Sequence, residues 1–153
     1  MWYLLGEVGD RGSTVEPTPA IGLVVAKTKL EPTKAVHDLR TLLKERPWEF
    51  KYTLKLVPAQ SVSEANLDSI QSSALSLAEK IADNETFRIT VEKRHTGLSS
   101  KTIIDTIAKK VERKVNLENP DRIIMIEVIG DLAGIALLKA DDILSVEREK
   151  RKG

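Results

Sequence analysis

The chain contains no cysteine, which excludes disulfides, thiolate metal centres and a cysteine nucleophile. Its two histidines, His37 and His95, lack a suitably spaced carboxylate partner, so neither a metal site nor a histidine acid–base centre is expected. Aromatics are scarce, at 4% of residues. Trp2, Tyr3, Trp48, Phe50, Tyr52 and Phe87 lie in strand-like or post-proline settings, which favour core packing over base stacking. No apolar run approaches the roughly 18–20 residues needed to cross a bilayer. The opening MWYLLGEVGDRG has no basic stretch and soon meets Glu7 and Asp10, unlike a secretory signal. Together these absences predict a cytoplasmic protein. Net charge is nearly absent too, at +1, so there is no general attraction to nucleic acid.

What is present is a globular composition, 41% apolar and 31% charged over 153 residues. That suits one ordinary domain or two small ones. The charge is also patterned. Residues 1–57 carry nine basic and seven acidic side chains, and residues 58–85 carry one and five. Residues 86–114 carry eight and three, and residues 115–153 carry six and eight. With a screening length of about 8 Å at physiological salt, only such local clustering matters.

Hydrophobic periodicity predicts alternating strands and helices. Residues 2–8 and the β-branched run 21–28 read as strands, the second buried, with a turn-rich loop over 9–19. Glu31-Pro32 opens a helix whose stripe is Ala35, Val36, Leu39, Leu42 and Leu43. Residues 51–57 alternate as a half-buried strand, with Tyr52, Leu54 and Leu56 inward and Lys51 and Lys55 outward. Ser61 and Glu64 fit a capping box before a helix ending near Ile81. Phe87, Ile89 and Val91 form the inner face of the next strand. After a turn at His95-Thr96-Gly97, residues 99–115 read as an amphipathic helix burying Ile103, Ile104, Ile107, Ala108, Val111 and Val115. Residues 123–129 and 134–139 read as neighbouring strands, and 141–153 as a short helix or a frayed tail. The fold class is therefore α/β or α+β in two halves, with a seam near residues 58–62.

Two features carry candidate chemistry. At Arg94–Lys101 a helix N-terminus would offer free backbone N–H groups, with Arg94 and Lys101 beside it to bind phosphate. The plainer alternative is that Ser99 or Ser100 only caps the helix. Along the helix, Lys109, Lys110 and Arg113 share a face with hydroxyls, a surface for an RNA backbone or merely a solvated one. Arg88, on the outer face of the preceding strand, and Lys51 and Lys55, if their strand joins that sheet, would extend the patch. The Asp141-Asp142 pair reads as a helix cap rather than a ligand pair.

Three segments, in this order and spacing, resemble the THUMP domain, an RNA-binding module of tRNA-modifying proteins. They are LKLVPAQSVSEANLDSI (residues 54–70), FRITVEKRHTGLSSKTIIDTIAKKV (87–111) and VNLENPDRIIMIEVIGDLAGIALLK (115–139). The resemblance implies a ferredoxin-like half over 1–58 packed on a THUMP-type core with a mixed sheet over 59–145, and a charged tail over 146–153. It also implies tRNA binding, in many members near the acceptor stem and 3′ end, through Lys93, Arg94, Ser99, Ser100 and Lys101. The chain is most similar to the stand-alone THUMP protein that assists the tRNA cytidine N4-acetyltransferase. The glycine-rich, ATP-pyrophosphatase and cysteine-zinc signatures of catalytic modules that accompany THUMP domains are missing. The expectation is thus a non-catalytic, cofactor-free adaptor that presents tRNA to a separate modifying enzyme. The rival expectation is a protein–protein scaffold whose basic face docks on an acidic partner.

Overall fold

A computed structural model of the chain describes residues 1–53 and 55–152. Contacts divide the chain into two compact units. The first comprises Met1–Thr18, Gly22–Pro58 and Asp141–Gly153, and the second Pro19–Ile21 and Ala59–Ala140.

The first unit opens with helix α1 (Trp2–Glu7) where a strand was expected. Leu4 and Leu5 are both buried, and a strand would send these adjacent side chains to opposite faces. Strands β1 (Thr14–Pro17) and β2 (Val24–Lys27) then pair antiparallel, Thr14 opposite Lys27. This corrects two expectations at once. The supposed loop contributes a strand, and the supposed buried strand is a largely exposed ribbon. β-Branched side chains favour pleated backbone whether or not anything covers it. The ribbon's base is closed by Asp10, only 1% exposed, which accepts hydrogen bonds from Gly12 N, Lys29 N and the Thr28 hydroxyl.

Helix α2 (Pro32–Glu45) follows the periodicity, burying Ala35, Val36, Leu39, Leu42 and Leu43. Glu31 caps it by accepting from Thr33 N and Lys34 N. A 3-10 turn, Pro47–Glu49, leads to the buried Phe50. Among the described residues of the strand expected over 51–57, only β3 (Lys55–Leu56) is extended into a ladder. Tyr52, expected inward, is exposed, and Leu54 lies outside the described residues.

The second unit contains β4 (Ser61–Glu64), α3 (Leu67–Ala78), β5 (Thr86–Arg94), α4 (Ser100–Ala108), β6 (Lys114–Val115), β7 (Arg122–Ile129) and β8 (Leu132–Leu138). Its sheet order is β4-β8-β7-β5-β6. β5 is parallel to both β6 and β7, whereas β8 is antiparallel to β7 and β4, which makes the expected mixed sheet. Ser61 and Glu64 are not a capping box. They belong to a strand at the sheet's edge, and Asn66 caps α3 by accepting from Ser69 N at 2.8 Å. One core joins Phe87 and Ile89, Ile124, Ile126 and Val128, and Ala133, Ile135 and Leu137 to Ile70, Ala74, Ile103 and Ile107 of the helices. Gly134 lets β8 pass close to the edge of the sheet, since a Cβ there would lie 3.1 Å from the Ala59 Cβ, a tight contact.

The chain then returns to the first unit. β9 (Leu144–Ser145) pairs with β3, and α5 (Val146–Lys152) follows. Leu144 and Val146 pack with Leu4, Leu5, Leu39, Leu43 and Phe50 in a second core. Of the two forms considered for the C-terminal residues, the helix is the one seen.

Candidate nucleic-acid interface

The basic stretch of the second unit begins at the C-terminal end of β5. Lys93 and Arg94 leave opposite faces of that strand. Arg94 reaches across to Glu127 on β7, 3.3 Å away, a carboxylate only 17% exposed. It therefore answers a half-buried negative charge. Lys93 is exposed and donates to Leu98 O at 2.9 Å, bracing the turn. That turn passes through His95 at φ 56, left-handed backbone in a non-glycine residue.

Ser99 is the N-cap of α4, its hydroxyl accepting from Thr102 N at 3.2 Å, and Ser100 and Lys101 occupy the first turn. The plain capping role is thus satisfied at Ser99. Lys101 is exposed, and no acidic side chain lies in that turn. The helix stops at Ala108, short of the expected 115. Lys109 is its C-cap and Lys110 follows, both exposed, where cations also complement the carbonyl end of the helix dipole. Lys101 and Lys109 stand ~12 Å apart along the helix axis.

Early termination removes Arg113 from the face assigned to it. Its guanidinium instead donates to Ile81 O at 3.2 Å, Ala82 O at 3.1 Å and Glu112 O at 2.7 Å, and pairs with Asp83 at 2.9 Å. It closes the turn after α3. Val115, expected buried, is half-exposed in β6. Arg88 is likewise committed, its Nη1 donating to Leu117 O at 2.9 Å.

Lys51 and Lys55 belong to the first unit. The β3 strand pairs with β9 in a two-stranded sheet and does not join the five-stranded one, which corrects the arrangement considered for them. Lys51, Lys55, Lys101, Lys109 and Lys110 are exposed, and none is in an ion pair among the described residues. The aromatics divide. Phe50 and Phe87 are core, but Tyr3, Trp48 and Tyr52 are exposed, against the expectation of core packing.

The first unit also contains a polar cluster that sequence spacing missed. His37 Nε2 lies 2.7 Å from Asp142 Oδ1, a partner 105 residues away. Arg40 Nη1 contacts His37 Nδ1 at 3.3 Å, and Arg40 Nη2 donates to Ile143 O at 3.1 Å. A guanidinium has only donors, so Nδ1 accepts and Nε2 carries the proton to Asp142. His37, Asp141 and Asp142 bring ligand atoms within 4.8 Å of one another. In this arrangement both imidazole nitrogens are already engaged, so the cluster works as a clasp between α2 and the C-terminal segment. Its one sequence signal was the pairing of a helical histidine with a distant Asp-Asp, which no local spacing rule links.

Residues 64–138 match the family model of the THUMP domain. This stretch is a THUMP domain. It holds β5 and α4, and with them Lys93, Arg94, Lys101, Lys109 and Lys110. Two solved structures share the wider fold. PH1313 from Pyrococcus horikoshii is 21% identical with a TM-score of 0.61, covering 90% of this chain and 45% of its own. TrmN from Thermus thermophilus is 16% identical with a TM-score of 0.59, covering 88% and 41%. At these identities the likeness is one of fold, and the chain spans less than half the length of either. No curated protein matches the chain in sequence. Among the described residues no helix is long and apolar enough to cross a membrane.

Proposed function

We propose that the protein is a non-catalytic, cytoplasmic tRNA-binding adaptor that presents tRNA to a separate tRNA-modifying enzyme, a cytidine N4-acetyltransferase. The observation that carries the RNA-binding part is the THUMP domain around a locally basic β5–α4 passage. In it Lys101, Lys109 and Lys110 stand exposed without an ion pair among the described residues, and Lys93 stands exposed at the preceding turn. Lysines at this spacing suit phosphates, which fix register and orientation while carrying little sequence information. Ser99, Ser100 and Arg94 frame the same turn. An adaptor that holds both tRNA and enzyme raises the effective concentration of one near the other, so modest RNA affinity suffices. The acetyltransferase assignment rests on the resemblance to the stand-alone THUMP protein.

A gel-shift comparison of tRNA with an unstructured RNA of equal length tests the core of this reading. Preferential binding of tRNA is expected, and equal or absent binding at low salt rejects it. The adaptor role has a separate test. The purified protein should leave tRNA nucleosides unchanged, whereas its loss from cells should deplete N4-acetylcytidine, measured by nucleoside mass spectrometry.

A further inference from the structure

The function proposed above assigns the phosphates to lysines of the second unit, and the first unit displays exposed aromatic side chains. Trp48 is 62% exposed and Tyr52 is 97% exposed. They flank Phe50, 1% exposed and part of the first unit's core, so the segment is anchored at its middle while both rings meet solvent. The 3-10 turn Pro47–Glu49 gives the corner a defined backbone. The Tyr3 hydroxyl donates to Glu49 Oε1 at 3.1 Å, which ties α1 to this corner.

Charge at the corner is sorted in the same way. Arg46 donates to Glu7 Oε2 at 3.1 Å and lies 3.5 Å from Glu49 Oε1, so one guanidinium is shared between two half-buried carboxylates. What remains exposed over residues 44–55 is Lys44, Lys51 and Lys55 against Glu45. None of the three lysines is in an ion pair among the described residues. Single exposed apolar residues are ordinary, and what sets this segment apart is two aromatic rings among uncompensated cations on one anchored stretch. Protein interfaces use Trp and Tyr too, but their centres are depleted of lysine. Surfaces for single-stranded nucleic acid combine ring faces with cations that track the backbone. The interleaving of Lys51 with Tyr52, and of Lys44 and Lys55 with Trp48 and Tyr52 along the chain, follows the second pattern.

We infer that Trp48 and Tyr52 form a stacking site for unpaired nucleotides of the bound RNA, with Lys44, Lys51 and Lys55 holding the adjoining phosphates. The site deepens, and rests on, the tRNA-binding function proposed above. Stacking needs a π face, which leucine lacks although it keeps apolar bulk. In the full chain, Trp48→Leu and Tyr52→Leu should each weaken binding of a short single-stranded oligoadenylate by about five- to a hundred-fold. Binding of an RNA duplex of equal length should change little, and Trp48→Phe should restore most of the loss. Tryptophan emission of the unsubstituted chain should be quenched as oligoadenylate saturates it, a readout that needs no variant to fold. Emission unchanged at saturation overturns the inference. So does a well-folded double leucine variant that keeps full oligoadenylate affinity, including one that instead loses binding to a protein partner. A chain that binds no tRNA at low salt removes the underlying function as well, whereas undiminished tRNA and oligoadenylate binding by the double variant removes the stacking site alone.

Discussion

Single residues in this chain take their roles from partners far away in sequence. Asp10 receives three hydrogen bonds, foremost from the Thr28 hydroxyl, and these hold its carboxyl below the ordinary aspartate value of 3.8. A group with a lowered folded pKa lends stability that is fully present above its unfolded value and disappears as pH falls through the folded one. Asp10→Asn faces an amide against hydrogen-bond donors, so it should lower the melting temperature by several degrees near neutral pH. That gap should close as the pH drops below about 4. Melts of both proteins across the acid range check this, and a gap independent of pH refutes it. Arg113 gives the complementary case. Its guanidinium is shared among three carbonyls and Asp83, so Arg113→Ala should cost about 1–3 kcal/mol in denaturant unfolding. Lys101→Ala and Lys109→Ala, at exposed positions, should stay within about 0.5 kcal/mol. Composition counts all three alike as basic, and only the hydrogen bonds separate a structural cation from an available one.

At the scale of elements, the legible parts were those whose pattern is long and whose covering lies on one side. The stripe of α2, the inner face of β5 and the apolar run of β7 each appear where the periodicity placed them. The failures share a cause: short segments whose state is decided by a distant neighbour. Residues 2–7 are helical because Leu4 and Leu5 both enter the core that includes α2, and β3 exists because β9 returns to pair with it. The end of α4 was misjudged because Val111 keeps the apolar period after the helix has stopped, packing from a turn instead. The cap of α3 offers a direct test. Asn66→Ala removes the acceptor for Ser69 N and should destabilise by about 1 kcal/mol. Ser61→Ala, five residues earlier in an edge strand, should be close to neutral. Equal losses in equilibrium unfolding would restore the capping box read from the sequence.

For the molecule as a whole, the net charge of +1 says nothing useful about partners, because attraction over a screening length depends on which charges are left uncompensated. Of the cations assigned to RNA, Arg88, Lys93, Arg94 and Arg113 have partners within the fold, which leaves Lys51, Lys55, Lys101, Lys109 and Lys110 as the ones available. The candidate site was therefore legible as a region, in the excess charge of residues 86–114, but not as a residue set. The structure makes the remaining claim quantitative. Each phosphate neutralised by a lysine releases condensed counterions, so the logarithm of affinity falls with the logarithm of salt concentration at a slope of roughly −0.7 to −0.9 per contact. If Lys101, Lys109 and Lys110 each meet a phosphate, replacing all three by alanine should weaken tRNA binding and flatten that slope by about two to three. Binding isotherms between low and physiological salt give both quantities from one set of titrations. Arg113→Ala, measured in parallel, should lower thermal stability while leaving the slope unchanged. Parallel salt plots for the triple variant and the unsubstituted chain would move the RNA backbone off α4 altogether, whatever the change in absolute affinity.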